Sequence, residues 1–117
     1  TLLLEELGVR VIKSFDAGVA GIHRPLMSLR RMQEARVLVA FAGMEGALPT
    51  VLASLTDLPV IAVPTPVGYG FGGQGEAALK TMLQSCSPGV TVVNIGNSIG
   101  AAAAAIRILR AIQRGAK

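Results

Sequence analysis

Four short runs, VRVIKSF (9–15), VLVAFAG (37–43), PVIAVP (59–64) and VTVVNIG (90–96), constrain this chain more than anything else in it. Each is rich in Val and Ile and of strand length, and three are nearly continuous in apolar character. An unbroken apolar run suits a strand buried on both faces, since neither face carries polar side chains to water. Between and after the runs, the spacing predicts helices over 25–35, 46–56, 74–84 and 98–114. Strand and helix alternate, so the sequence predicts βαβ units, a parallel sheet and right-handed crossovers. In IGAAAAAIRILRAI the small residues are expected to let the last helix lie close on the sheet or on a neighbour.

The chain has 117 residues, about one modest domain, and it is read as a single domain over 1–117. It opens on Thr1 and runs directly into LLLEELG, as if inside a helix, so a fragment with upstream sequence missing is expected. No signal peptide is visible. The most apolar stretch, Val37 to Leu55, carries Gly43, Glu45, Gly46 and Pro49, which break a membrane span. One cysteine argues against a disulfide framework, and the cytoplasm is the expected location. Only 15% of residues are charged, so part of the surface is expected to be buried against another subunit. The net charge of +4 comes with one Tyr and three Phe, too few stacking platforms for single-stranded nucleic acid.

The ends of the runs carry the functional signal. They read DAGVAGIHRP, AGMEGALP, PTPVGYGFGGQGE and GNSIGAA, all glycine-rich and, in a parallel sheet, all on one edge. Ligands of open α/β sheets bind at that carboxyl edge, where glycine admits close backbone approach and helix N-termini offer N–H groups to anions. A nucleotide or phosphate pocket is the favoured reading. The polar residues there are Asp16, His23, Arg24, Glu45, Thr65, Tyr69, Gln74, Glu76 and Asn97. His23 can exchange a proton near neutral pH and Arg24 can grip a phosphate or carboxylate. Each also has an ordinary use: His23 bonding to backbone, Arg24 facing solvent, Glu45 capping the first turn of the helix that follows. Cys86, in LQSCSPG, falls between the third predicted helix and the last run; a lone cysteine is ordinarily a small buried hydrophobe.

At VAGIHRP, AGMEGALP, LPVIAVPTPVGYG, LQSCSPG and VVNI the chain resembles the carboxylase family of the purine-pathway carboxyaminoimidazole ribonucleotide mutase (PurE). Within it the resemblance is to the LarB group, the pyridinium-3,5-biscarboxylic acid mononucleotide synthases. The purine group carries SAHRTP where this chain has AGIHRP, and a second His where this chain has Ala47. It also typically carries Met where this chain has Cys86. The resemblance implies a flavodoxin-like three-layer α/β/α fold with a parallel sheet, and a homo-oligomer, from a dimer up to an octamer. It also implies a central strand upstream of TLLLEELG, and an Asp where this chain has Gly96.

The implied substrate is nicotinic acid adenine dinucleotide. Its pyridinium ring would be carboxylated from CO2 or bicarbonate and its phosphoanhydride hydrolysed with release of AMP, a step towards a nickel-pincer nucleotide cofactor. Cys86 is the implied nucleophile, Glu45 the base that removes the ring proton, and His23 and Arg24 the groups that bind or polarise carboxylate or phosphate. Asp16, Gly43, Gly46, Gly68, Tyr69 and Gly70 complete the implied substrate contacts, and a divalent cation, Mg2+, would assist the hydrolysis. Two alternatives stand beside this one: the purine-pathway carboxylase or mutase itself, and a regulatory module that holds a nucleotide without turning it over.

Overall fold

The computed structural model describes residues 2–15 and 17–115. Its elements run α1 (Leu2–Glu6), α2 (His23–Arg31), β1 (Leu38–Ala42), α3 (Leu48–Leu55), β2 (Val60–Pro64), α4 (Glu76–Leu83), β3 (Val90–Val92) and α5 (Ser98–Gly115), with a single 3-10 turn at Gly70–Gly72. The strands form one parallel sheet in the order β1-β2-β3, Leu38 and Val90 each lying opposite Val60. Helices flank both faces of the open sheet, the flavodoxin-like arrangement expected.

Alternation along the strands divides the core. Leu38, Ala40 and Val60 point to one face and pack with Leu52 and Ala53 of α3, with Leu29 of α2 beside them. On the same face Ala62 meets Ala78 and Met82 of α4. Ile61 and Val63 point the other way, onto Ala101 and Ala105 of α5. Every residue of β2 is buried, as a strand sandwiched between two helical layers must be. Each fully buried Val or Ile adds about 1.5–3 kcal/mol of transfer free energy, so β2 is the densest source of stability in the sheet. Ala101 is wholly buried and Ala105 is nearly so. The alanine run therefore does bring the last helix close onto the sheet.

The first apolar run departs from expectation. Residues 9–15 form no strand. Among the described residues, the backbone bonds of this segment reduce to Val9 N–H donating to the Leu4 carbonyl at 2.9 Å, which closes α1. Side chains hold it instead beside α2: the Ser14 and Ser28 hydroxyls are 2.7 Å apart, and Arg10 meets Glu34 at 2.8 Å. Apolar composition favours an extended backbone, but a strand also needs a neighbour to take its N–H and C=O groups. β1 pairs only with β2 among the described residues, so its outer edge supplies no ladder to 9–15.

Candidate functional site at the carboxyl edge

Three turns leave the carboxyl ends of the strands, and backbone bonds tie them to one another. Met44 N–H donates to the Val67 carbonyl at 3.1 Å, Thr65 N–H to Ala42 at 3.0 Å, and Gly96 N–H to Pro64 at 2.8 Å. Two glycines make this possible. A Cβ on Gly43 would collide with the Val67 carbonyl oxygen, and one on Gly46 would stand 2.7 Å from Ala78 Cα of α4. Gly46 also has φ +69, and Met44 beside it holds a left-handed φ of 52, which is costly for a side chain of that size. The Gly46 N–H is engaged with the Gly43 carbonyl at 2.9 Å, so the turn is shaped from within.

Glu45 stands exposed at the tip of this turn. It makes no hydrogen bond or ion pair among the described residues. The expectation that it caps the following helix is corrected: α3 starts at Leu48, its first turn holds no acidic residue, and Pro49 sits in that first turn. A carboxylate left outside the helix and without a partner is available to a ligand.

His23 and Arg24 open α2. Gly21 explains the glycine before them: a Cβ there would lie 2.9 Å from His23 Cε1 and 3.3 Å from Arg24 Nε. The turn closes with Arg24 N–H donating to the Gly21 carbonyl at 2.9 Å. Pro25 follows in the first turn, where a missing N–H costs little. The N-cap, Ile22, makes no side-chain cap, and no acidic residue lies in the first turn. An imidazole and a guanidinium therefore stand in the first turn of the helix. The N-terminus of α3 likewise has no side-chain cap. α5 differs, because Asn97 Oδ1 accepts from Gly100 N–H at 2.9 Å and caps it. α4 carries Glu76 in its first turn, which makes its N-terminus a poorer anion site.

The other expected residues fall as follows. Gly68, Tyr69 and Gly70 lie on the loop after β2, all exposed. Gly68 has φ +143, and a Cβ on it would press within 2.7 Å of Met44 Sδ. Asp16 lies outside the described residues. Gly96 has φ +72, so a glycine suits that turn whatever its neighbours do. Cys86 is exposed, not the buried small residue that composition suggested. The reason is its loop: the Ser85 hydroxyl pairs with the Thr50 hydroxyl at 2.7 Å and Ser87 donates to the Thr50 carbonyl at 3.0 Å. Two serines pin the loop to α3 and leave the residue between them facing out.

Cys86 is not in any carboxyl-edge turn. It follows the far end of α4, whose eight residues span about 12 Å, on the way to Val90 opposite the first residue of β2. The fold thus gathers Glu45, Tyr69 and the turn glycines at the carboxyl edge and leaves Cys86 apart, while His23 and Arg24 open α2 after a segment that forms no strand, so their turn is not the strand end that the sequence predicted.

The model of the AIR carboxylase family matches residues 2–116. The chain belongs to the AIR carboxylase family. Its relatives within that frame are of two kinds. An uncharacterized protein of Methanocaldococcus jannaschii is 53% identical over 100 residues, covering 84% of this chain and 38% of that protein. An N5-carboxyaminoimidazole ribonucleotide mutase of the same organism is 35% identical over 109 residues, covering 91% of this chain and 64% of the mutase. The mutase of Saccharolobus solfataricus is 34% identical over 113 residues, covering 92% of this chain and 68% of that protein. The chain therefore spans well under half of the first relative and about two thirds of the mutases. No described helix is long and apolar enough to cross a membrane.

Proposed function

We propose that this AIR carboxylase domain carboxylates the heteroaromatic ring of a nucleotide, and that the ring is the pyridinium of nicotinic acid adenine dinucleotide. The observation that supports the reading is the Glu45 turn: an exposed carboxylate that makes no hydrogen bond or ion pair among the described residues stands beside the exposed loop that carries Gly68, Tyr69 and Gly70. A carboxylate there can take up the ring proton, and the His23 and Arg24 side chains that open α2 are of types suited to a phosphate or a new carboxylate.

The chemistry assigns the remaining residues. A pyridinium ring is too electron-poor to attack CO2. The thiolate of Cys86 adds to a ring carbon and the ring nitrogen takes up the electron pair, leaving a neutral, enamine-like ring. That ring attacks CO2 through carbon. Glu45, exposed and unpartnered, takes the proton from the same carbon. The nitrogen lone pair then expels the thiolate and aromaticity returns. Phosphoanhydride hydrolysis releases AMP. Mg2+ would supply charge neutralisation at the phosphates, yet among the described residues no three His, Cys, Asp or Glu side chains gather to hold a metal. That suits an ion carried on the substrate's phosphates and waters.

The separation of Cys86 from Glu45 has a direct consequence for this reading. In this reading the thiol comes from a second copy in a homo-oligomer, since Cys86 follows the far end of α4 and lies in none of the carboxyl-edge turns. The pinned, outward-facing loop around Cys86 fits that delivery.

The mutase reaction of the purine pathway is the second reading, favoured by the mutases at 35% and 34% identity. Against it, the chain is more similar to the uncharacterized protein than to the mutase of the same organism. The test uses the full-length protein and its Cys86→Ala variant with nicotinic acid adenine dinucleotide, bicarbonate and Mg2+. Mass spectrometry should find AMP and a doubly carboxylated pyridinium mononucleotide with wild type, and no carboxylated product with the variant. A folded wild type that turns over only N5-carboxyaminoimidazole ribonucleotide would transfer the assignment to the purine reaction.

A further inference from the structure

The core of this protein contains no aromatic side chain. Phe15, Phe41, Tyr69 and Phe71 are the whole aromatic content of the chain, and none joins the three buried clusters. Aromatic side chains ordinarily dominate cores because of the area they bury. Here Tyr69 is 81% exposed and Phe71 is fully exposed. Both sit on the loop that leaves the carboxyl end of β2, alongside the Glu45 turn.

The loop is held at both ends, and between them lies a 3-10 turn closed by Gly73 N–H donating to the Gly70 carbonyl at 3.2 Å. At its start the Val67 carbonyl accepts from Met44 N–H. At its end Gly75 is wedged against the β3–α5 turn, where a Cβ would lie 2.9 Å from Ile95 Cγ2. In the middle, a Cβ on Gly70 would meet nothing within 4 Å. Five of the eight residues from 68 to 75 are glycine, which gives the tip many accessible conformations. A face permanently packed on another subunit has no use for that freedom; a segment that closes on a ligand and reopens does.

We infer that residues 68–75 form a glycine-hinged strap whose Tyr69 and Phe71 rings close over the planar heteroaromatic ring of the bound nucleotide and hold it for reaction. The inference rests on the carboxyl edge being the nucleotide site, as proposed above. An electron-poor or cationic ring is a good partner for electron-rich aromatic faces. Stacking also sets the ring plane and thereby which face the thiol and CO2 can approach. Tyr69 and Phe71 are positioning residues, with no proton to move in the reaction.

Phe71→Trp in the full-length protein provides the test, since this chain has no Trp and the added emission, taken against wild type, reports on position 71. Saturable quenching by nicotinic acid adenine dinucleotide is expected. In parallel, Phe71→Ala should raise KM about tenfold and lower kcat several-fold, and Phe71→Tyr should restore both. Unchanged emission in an enzyme that turns the dinucleotide over would overturn the strap. So would a Phe71→Ala variant with altered sedimentation and wild-type KM, which would place the ring between subunits. Wild-type turnover is measured alongside: if the dinucleotide is not a substrate, the proposed reaction falls on that result. The strap is then judged on emission, and no response to either the dinucleotide or N5-carboxyaminoimidazole ribonucleotide overturns it.

Discussion

At the scale of single residues, the candidate site is built from glycines that do different jobs. Gly43 has no left-handed φ; it is needed because the Val67 carbonyl occupies the place a Cβ would take. Gly46 is needed twice over, for φ +69 and for the approach of Ala78. Met44 tolerates its left-handed backbone because its N–H is held by Val67. Gly43→Ala should therefore destabilise the domain by about 1–3 kcal/mol, read by urea denaturation, because relief requires the two loops to part. A loss below a few tenths of a kcal/mol would show that the loops are not in contact. A glycine-rich edge was legible in the sequence. Which glycines answer to sterics and which to φ was not, because the Val67 oxygen and Ala78 come from other elements.

At the scale of elements, α5 shows how small residues decide a distance. Ala101 and Ala105, one turn apart, face Ile61 and Val63, while Ala103 of the same run is exposed. Ala101→Leu should cost about 1–3 kcal/mol by overpacking the sheet, and Ala103→Leu should stay within about 0.5 kcal/mol of wild type. Thermal or denaturant unfolding of the two variants separates them; equal losses would mean the helix is rotated from its observed face. Helices α2 to α5 and the three strands fall close to where periodicity put them, since each carries its own local signal. The VRVIKSF run failed because pairing is not local. Its Val and Ile residues favour extension, yet Ser14 and Arg10 fasten it to α2 and its neighbour, and no described strand lies beside it.

At the scale of the whole molecule, the exposed apolar surface includes Phe15, Val67, Tyr69, Phe71, Leu83 and Ile99, much for a chain with so few charges. A homo-oligomer would cover part of it, and the proposed reaction, which takes Cys86 from a second copy, requires one. Glu45→Gln and Cys86→Ala variants, each inactive alone, should regain about a quarter of wild-type activity when refolded together in equal amounts, since a quarter of shared sites then hold both native residues. Sedimentation should give a mass that is a multiple of one chain. No regain in mixed oligomers would mean that Cys86 and Glu45 do not serve a common site. The sequence by itself determined the α/β class and the glycine-rich turns at the carboxyl ends of the strands, with Glu45 in one of them, because alternating apolar runs and glycine turns are local signals. Only the tertiary structure decided that 9–15 finds no strand partner, that Glu45 stands clear of α3 and that Cys86 faces outward an α-helix away. Each of those depends on groups distant in the chain, whose approach is set by packing and not by any local preference.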